Sequence, residues 1–134
     1  MIMTIQKELF VLQDTNYADF QSNLIPNIPR TSILGIRVPQ LRKLAKKLSK
    51  VKDTSIFLRT LPHVYYDENM LHSLLISEIQ DFKSCISAID TFLPFVDNWA
   101  VCDILSPRVF KQNHSSLMAE IPRWIFSKHP YTCR

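Results

Sequence analysis

One glycine, Gly35, stands against eight prolines in this 134-residue chain. Tight β-hairpins draw repeatedly on residues that tolerate positive φ, glycine above all. A chain with a single glycine is poorly equipped for a meander of such turns, whereas helices joined by proline-stopped corners suit it. The predicted class is all-α. Helices are expected from about Met3 to Gln13, Asn16 to Ile25, Pro39 to Lys50, Asp53 or Thr54 to Pro62, Asp67 to Ile79, Phe82 to Leu93, Asn98 to Leu105 and Ser115 to Lys128. An irregular connection fills residues 26–37. Helices of roughly 10 to 15 residues with short corners point to antiparallel pairs stacked as an α-solenoid. No strict internal period and no low-complexity linker divides the chain, so residues 1–134 read as one domain.

The chain is long enough to bury a real core, and its hydrophobic fraction of 46% is ordinary for a globular domain. No apolar run is long enough to span a membrane, and the start, Met1 to Glu8, lacks the pattern of a signal peptide. A cytoplasmic location is expected. Cys85, Cys102 and Cys133 are odd in number and widely spaced, which suits thiols in a reducing compartment. His63, His72, His114 and His129 show no metal-ligand spacing and read as surface or packing residues. No metal site is expected from these residues.

Charge is distributed unevenly. From Arg30 to Lys52 there is no acid, while Arg30, Arg37, Arg42, Lys43, Lys46, Lys47, Lys50 and Lys52 supply eight of the sixteen basic residues. In the helix after Pro39, Leu41, Leu44, Ala45 and Leu48 make the apolar stripe. Arg42, Lys43, Lys46, Lys47 and Lys50 occupy the opposite arc. Two readings stand: a solvated helix face, or a site for a polyanion that relieves the repulsion among unpaired cations. Nucleic acid is the commonest such partner, through phosphate contacts and counterion release. The free N–H groups at this helix's start could also hold a phosphate. The net charge is only +4, so the signal is local.

The segment Asp97-Asn98-Trp99-Ala100-Val101-Cys102-Asp103 is the second informative feature. With Asp97 or Asn98 as cap, Trp99 and Asp103 lie within about 40° of each other on the helix at ~100° per residue. Val101, Ile104 and Leu105 form a separate apolar arc, so the Trp–Asp pair is expected to face away from the core. Plain alternatives are an indole packed between helices, and an Asp103 that is simply solvated or paired with Arg108. Trp124, aligned with Leu117, Ile121 and Ile125, reads as core. A chemical role for Trp99 and Asp103 is coherent. A carboxylate can stabilise a cationic transition state, and an aromatic face can hold a sugar or a cationic ring. Both tasks arise when an N-glycosidic bond breaks.

Three segments resemble the AlkD-like DNA alkylation repair proteins, the HEAT-like-repeat alkylpurine DNA glycosylases. They are Leu34-Gly35-Ile36-Arg37-Val38-Pro39 leading into the basic helix, Asn98-Trp99-Ala100-Val101-Cys102-Asp103, and Ile121-Pro122-Arg123-Trp124-Ile125 followed by Tyr131-Thr132-Cys133-Arg134. The resemblance spans essentially the whole chain but only the N-terminal portion of a full member. The chain is expected to be a shortened form whose last apolar face lacks a capping helix and could promote self-association. The resemblance implies a HEAT-like solenoid with a basic groove for duplex DNA. It also implies excision of cationic N3- or N7-alkylated purines without base flipping and without a metal or organic cofactor. Asp103 would then stabilise the developing oxocarbenium ion or position the water. Trp99 would contact the deoxyribose, and Arg134 a neighbouring phosphate. Arg37, Arg42, Lys43, Lys46 and Lys47 would hold the backbone. Such an enzyme would act on the nucleoid of a bacterial-type cell. Asn98 departs from the family, where an aromatic residue stands in some members. The family's second groove-lining tryptophan belongs to a later repeat than this chain contains. A non-catalytic HEAT-like module gripping duplex or branched DNA is the alternative, and a scaffold for another protein is the third reading.

Overall fold

The computed structural model describes residues 2–50, 54–127 and 129. Among them are eight α-helices and no strand: α1 Ile2–Val11, α2 Thr15–Leu24, α3 Val38–Leu48, α4 Thr54–Arg59, α5 Tyr66–Ser77, α6 Phe82–Phe92, α7 Trp99–Ile104 and α8 His114–Ile125. Each expected helix is present, most with ends displaced by a residue or two. Local chemistry explains several starts. Asp14, Asp81 and Asn98 each accept a backbone N–H two or three residues into the helix that follows. Pro39 occupies the first turn of α3, where its missing N–H costs nothing.

Helix α5 is the hub. Nearly its whole length, from Tyr66 to Ser77, is buried. It packs against α1, α3, α6 and α7. In succession α3 touches α5 and α5 touches α7, while α4 touches α6. Helices α3, α5 and α7 therefore lie side by side, with α6 packed on α5 and α4 on α6. Leu41, Leu44, Ala45 and Leu48 of α3 and Leu71, Leu74, Leu75 and Ile76 of α5 join one continuous core. Burying each large aliphatic side chain contributes about 2 kcal/mol.

Two features seat the segment that leads into α3, one against the start of α2 and one against the start of α5. Gly35 has φ +85°, and a Cβ there would lie 2.1 Å from the Asp14 carbonyl oxygen, so only glycine fits. The buried carboxylate of Asp67, at the start of α5, accepts the N–H groups of Leu34 (2.6 Å) and Ile36 (3.2 Å). Burial raises its pKa, and those backbone donors oppose the rise.

The core also contains a polar cluster. His63 Nε2 lies 2.8 Å from His72 Nδ1, and His63 Nδ1 lies 3.9 Å from Glu68 Oε2. The His63 ring stacks on Phe57 and the His72 ring on Phe92, at centroid separations of 4.3 and 4.0 Å. Burial lowers the pKa of His63 to about 4 and that of His72 to about 3. These two histidines are packing residues, held neutral. The expectation for Trp124 needs correction. It is half-buried at the edge of the core, its Nε1 donates to Asp90 Oδ1 at 3.0 Å, and its neighbour Ile125 is 50% exposed. Trp124 thus packs on the core from its margin, where α8 rests on the short 3-10 segment Arg108–Gln112.

Candidate functional site

A groove follows α5, with α3 as one wall and α7 as the other. Its first section, of about 390 Å³, has Tyr66 and Met70 of α5 on its floor. Val38 and Arg42 line it from α3, and Trp99, Ala100, Asp103 and Ile104 from α7. Tyr17, Phe20 and Leu24 of α2 close the far end. Trp99 and Asp103 thus share one cleft with a cation of the basic helix.

The placement of Trp99 follows from three local bonds. Asn98 caps α7 by accepting the Val101 N–H at 2.9 Å. Ser73 of α5 donates its hydroxyl to the Val101 carbonyl at 3.1 Å, which fixes α7 against the hub. The indole Nε1 donates to the Leu24 carbonyl at 3.2 Å, using one of the orphan carbonyls at the end of α2. With its polar atom engaged, Trp99 offers its aromatic face, and the side chain is 41% exposed. Asp103 is one turn further along α7 and is also exposed. Val101 supplies the buried side of the helix, while Ile104 and Leu105 are only partly covered.

The five basic residues expected to bind DNA do not act as one patch. Arg42 lines the first section of the groove, and Arg42 and Lys46 line the next. Arg37 stands over the Tyr17 ring at 4.7 Å and 3.5 Å from Asp14, at the rim. Lys47 turns to the far flank of α3, 3.5 Å from Glu8 of α1. Lys43 projects into solvent. A full turn separates Arg42 from Lys46, so the pair shares one side of α3 while Lys43 and Lys47 take another. Arg134 lies outside the described residues. Arg108 pairs with Glu78 at 3.3 Å.

The structure adds residues that the sequence did not single out. Tyr66 sits under the cleft, and burial followed by the nearby Asp67 pushes its phenol well above the usual tyrosine range. Gln21 lines the same cleft at 7% exposure, and its amide oxygen has no protein partner. Nothing in the sequence around Gln21 distinguishes it from an ordinary helix-surface glutamine. Among the described residues no group of three or more potential ligands could hold a metal, and no helix is long and apolar enough to cross a membrane.

Neither the curated proteins nor the solved structures compared with this chain include a match. A family model described as DNA alkylation repair enzyme does match, over residues 5–134. The match runs over nearly the whole chain, and the chain belongs to the DNA alkylation repair enzyme family.

Proposed function

We propose that this protein is a DNA glycosylase that hydrolyses the N-glycosidic bond of cationic N3- or N7-alkylated purines in duplex DNA. The observation that carries the reading is the shared cleft of Trp99, Asp103 and Arg42. An alkylated purine already bears positive charge, so it leaves with the bonding electron pair as a neutral base and needs no acid. The charge passes to the sugar, where C1′ and the ring oxygen share it. The Asp103 carboxylate stabilises that charge. It also orients the water that adds to C1′ and loses a proton to solvent. The face of Trp99 lies against the deoxyribose. The cleft opens to solvent along the groove, which suits attack on a nucleotide left in the duplex. The two-layer helix contacts fit a HEAT-like solenoid that presents this groove to the duplex. A cytoplasmic enzyme working on the nucleoid follows from the same reading.

The test is release of 7-methylguanine from methylated duplex DNA. Wild-type protein is expected to release it, and Asp103→Asn is expected to lose roughly 100-fold or more in single-turnover rate while still binding DNA. Absence of release by the wild type overturns the enzymatic reading. The second reading, a module that grips DNA without chemistry, is favoured by the eight cations of the acid-free window. It predicts salt-sensitive binding and no difference in base release between wild type and Asp103→Asn.

A further inference from the structure

Beyond the Trp99–Asp103 cleft, the groove continues along α5 into a second section of about 650 Å³. Arg42 and Ile104 line both sections, so the two are continuous. The floor passes from Met70 to Leu74, Ser77 and Glu78 as α5 runs on. Four cations and one acid border this second section: Arg42 and Lys46 on the α3 wall, Arg108 and Lys111 on the opposite wall, and Glu78 between them.

The opposite wall is a built element. It is the short 3-10 turn Arg108–Gln112, which begins after Pro107. At three residues per turn, positions 108 and 111 fall on one side of it. Val109 points the other way, into the core, at 6% exposure. Phe110 packs on Phe82 at a centroid separation of 5.9 Å. The segment just before the turn is tied to α5, because the Ser106 N–H donates to Ser77 Oγ at 3.0 Å and that hydroxyl donates to the Ser73 carbonyl at 2.9 Å. After it, the Asn113 side chain donates to the Val109 carbonyl at 2.9 Å. Two cations on a helix and two on a pinned turn therefore flank one channel. Arg108 is 68% exposed and Glu78 21% exposed, so their ion pair at 3.3 Å can be exchanged for another anion without unfolding anything.

We propose that this second section is a phosphate track for one nucleic-acid strand, in which Arg108 and Lys111 contact the backbone opposite Arg42 and Lys46, and Glu78 occupies Arg108 until a phosphate replaces it. The proposal rests on the groove being the DNA site. It assigns the positioning of the duplex to a turn that carries none of the chemistry. Through Arg42 the same strand would continue into the cleft of Trp99 and Asp103.

The experiment is fluorescence-anisotropy titration of a short unmodified duplex over a range of salt concentrations, with thermal melts to confirm folding. Arg108→Ala with Lys111→Ala is expected to weaken binding roughly tenfold at low salt. It should also reduce the salt slope by about 1.8, the loss of two phosphate contacts. Glu78→Gln is expected to tighten binding about threefold. Lys83→Ala, on the opposite layer, is the control and is expected to change neither quantity. If the wild type binds and the double variant keeps both affinity and slope, the phosphate track is overturned while the groove reading stands. If Glu78→Gln weakens binding, its role as a competing anion is overturned. If the wild type binds no duplex at any salt concentration, the DNA groove itself falls and this inference with it.

Discussion

Helix α5 has two sides that meet opposite fates. On the groove side, Tyr66, Met70, Leu74 and Glu78 recur every fourth residue beneath an open channel bordered by exposed cations. On the other side, Glu68 and His72 are sealed against His63 and two phenyl rings, with 0–1% exposure. The groove side keeps its charges in water, where they can exchange partners with a ligand. The buried side holds its histidines neutral, so they serve packing and specificity of the fold. A titratable residue is thus a candidate for chemistry only where the fold leaves it a route to solvent. The two sides predict different responses to substitution: stability should follow the buried side and function the groove.

The largest loss of stability is expected where the segment leading into α3 crosses the start of α2. Gly35→Ala forces a Cβ into the Asp14 carbonyl at a positive φ. Its expected cost is about 3 kcal/mol or more, measured by urea unfolding. A near-neutral result would show that the groove wall does not depend on this turn.

Acid comes next. Both histidines have folded-state pKa values below the ordinary 6.5 because burial penalises their charged forms. Above pH 6.5 they are neutral in both states and cost nothing. As pH falls toward 4 the unfolded chain takes up protons that the folded chain refuses, so stability falls. By pH 5 the loss is on the order of a few kcal/mol for the pair. Asp67, raised by burial, titrates in the other direction, its folded form favoured by acid. The discriminating quantity is therefore the difference between wild type and His63→Leu at pH 7 and pH 5. The variant should lose less on acidification, and an equal loss would remove the histidines from the account.

Smaller effects belong to the groove. Trp99→Ala is expected to cost about 1 kcal/mol of stability, since the indole is partly exposed and gives up one hydrogen bond. Base release should nevertheless fall at least tenfold (about 1.4 kcal/mol of barrier). A large stability loss would make Trp99 a packing residue. Lys43→Ala, in solvent between the two flanks of α3, should change stability by less than about 0.5 kcal/mol.

The sequence carried the helices well, because their signals are local. Asn98 caps α7, Pro39 starts α3, and the stripe Leu41, Leu44, Ala45 and Leu48 faces inward. It also separated Trp99 and Asp103 from the core, since helical spacing alone decides which side of a helix they take. It could not reveal what sits across from them. His63 and His72 meet across the corner before α5, a pairing that no spacing rule encodes. Asp67 looks like an ordinary first-turn acid of a helix, and only tertiary packing turns it toward Leu34 and Ile36. The basic window was visible, but its division into groove-lining Arg42 and Lys46, rim-bound Arg37 and Glu8-paired Lys47 depends on which neighbours flank α3. Arg108 and Lys111 were hidden because two cations three residues apart mean little until the segment is known to be a 3-10 turn.

The most direct measurement of the central claim is amide chemical-shift mapping of the intact chain as a methylated duplex is added. Perturbations are expected to concentrate on α3, α7 and the turn Arg108–Gln112, at Arg42, Trp99, Asp103 and Arg108, with α4 and α6 silent. Perturbations centred on Arg59, Lys83 and Ser87 of the opposite layer, with Trp99 unmoved, would contradict it.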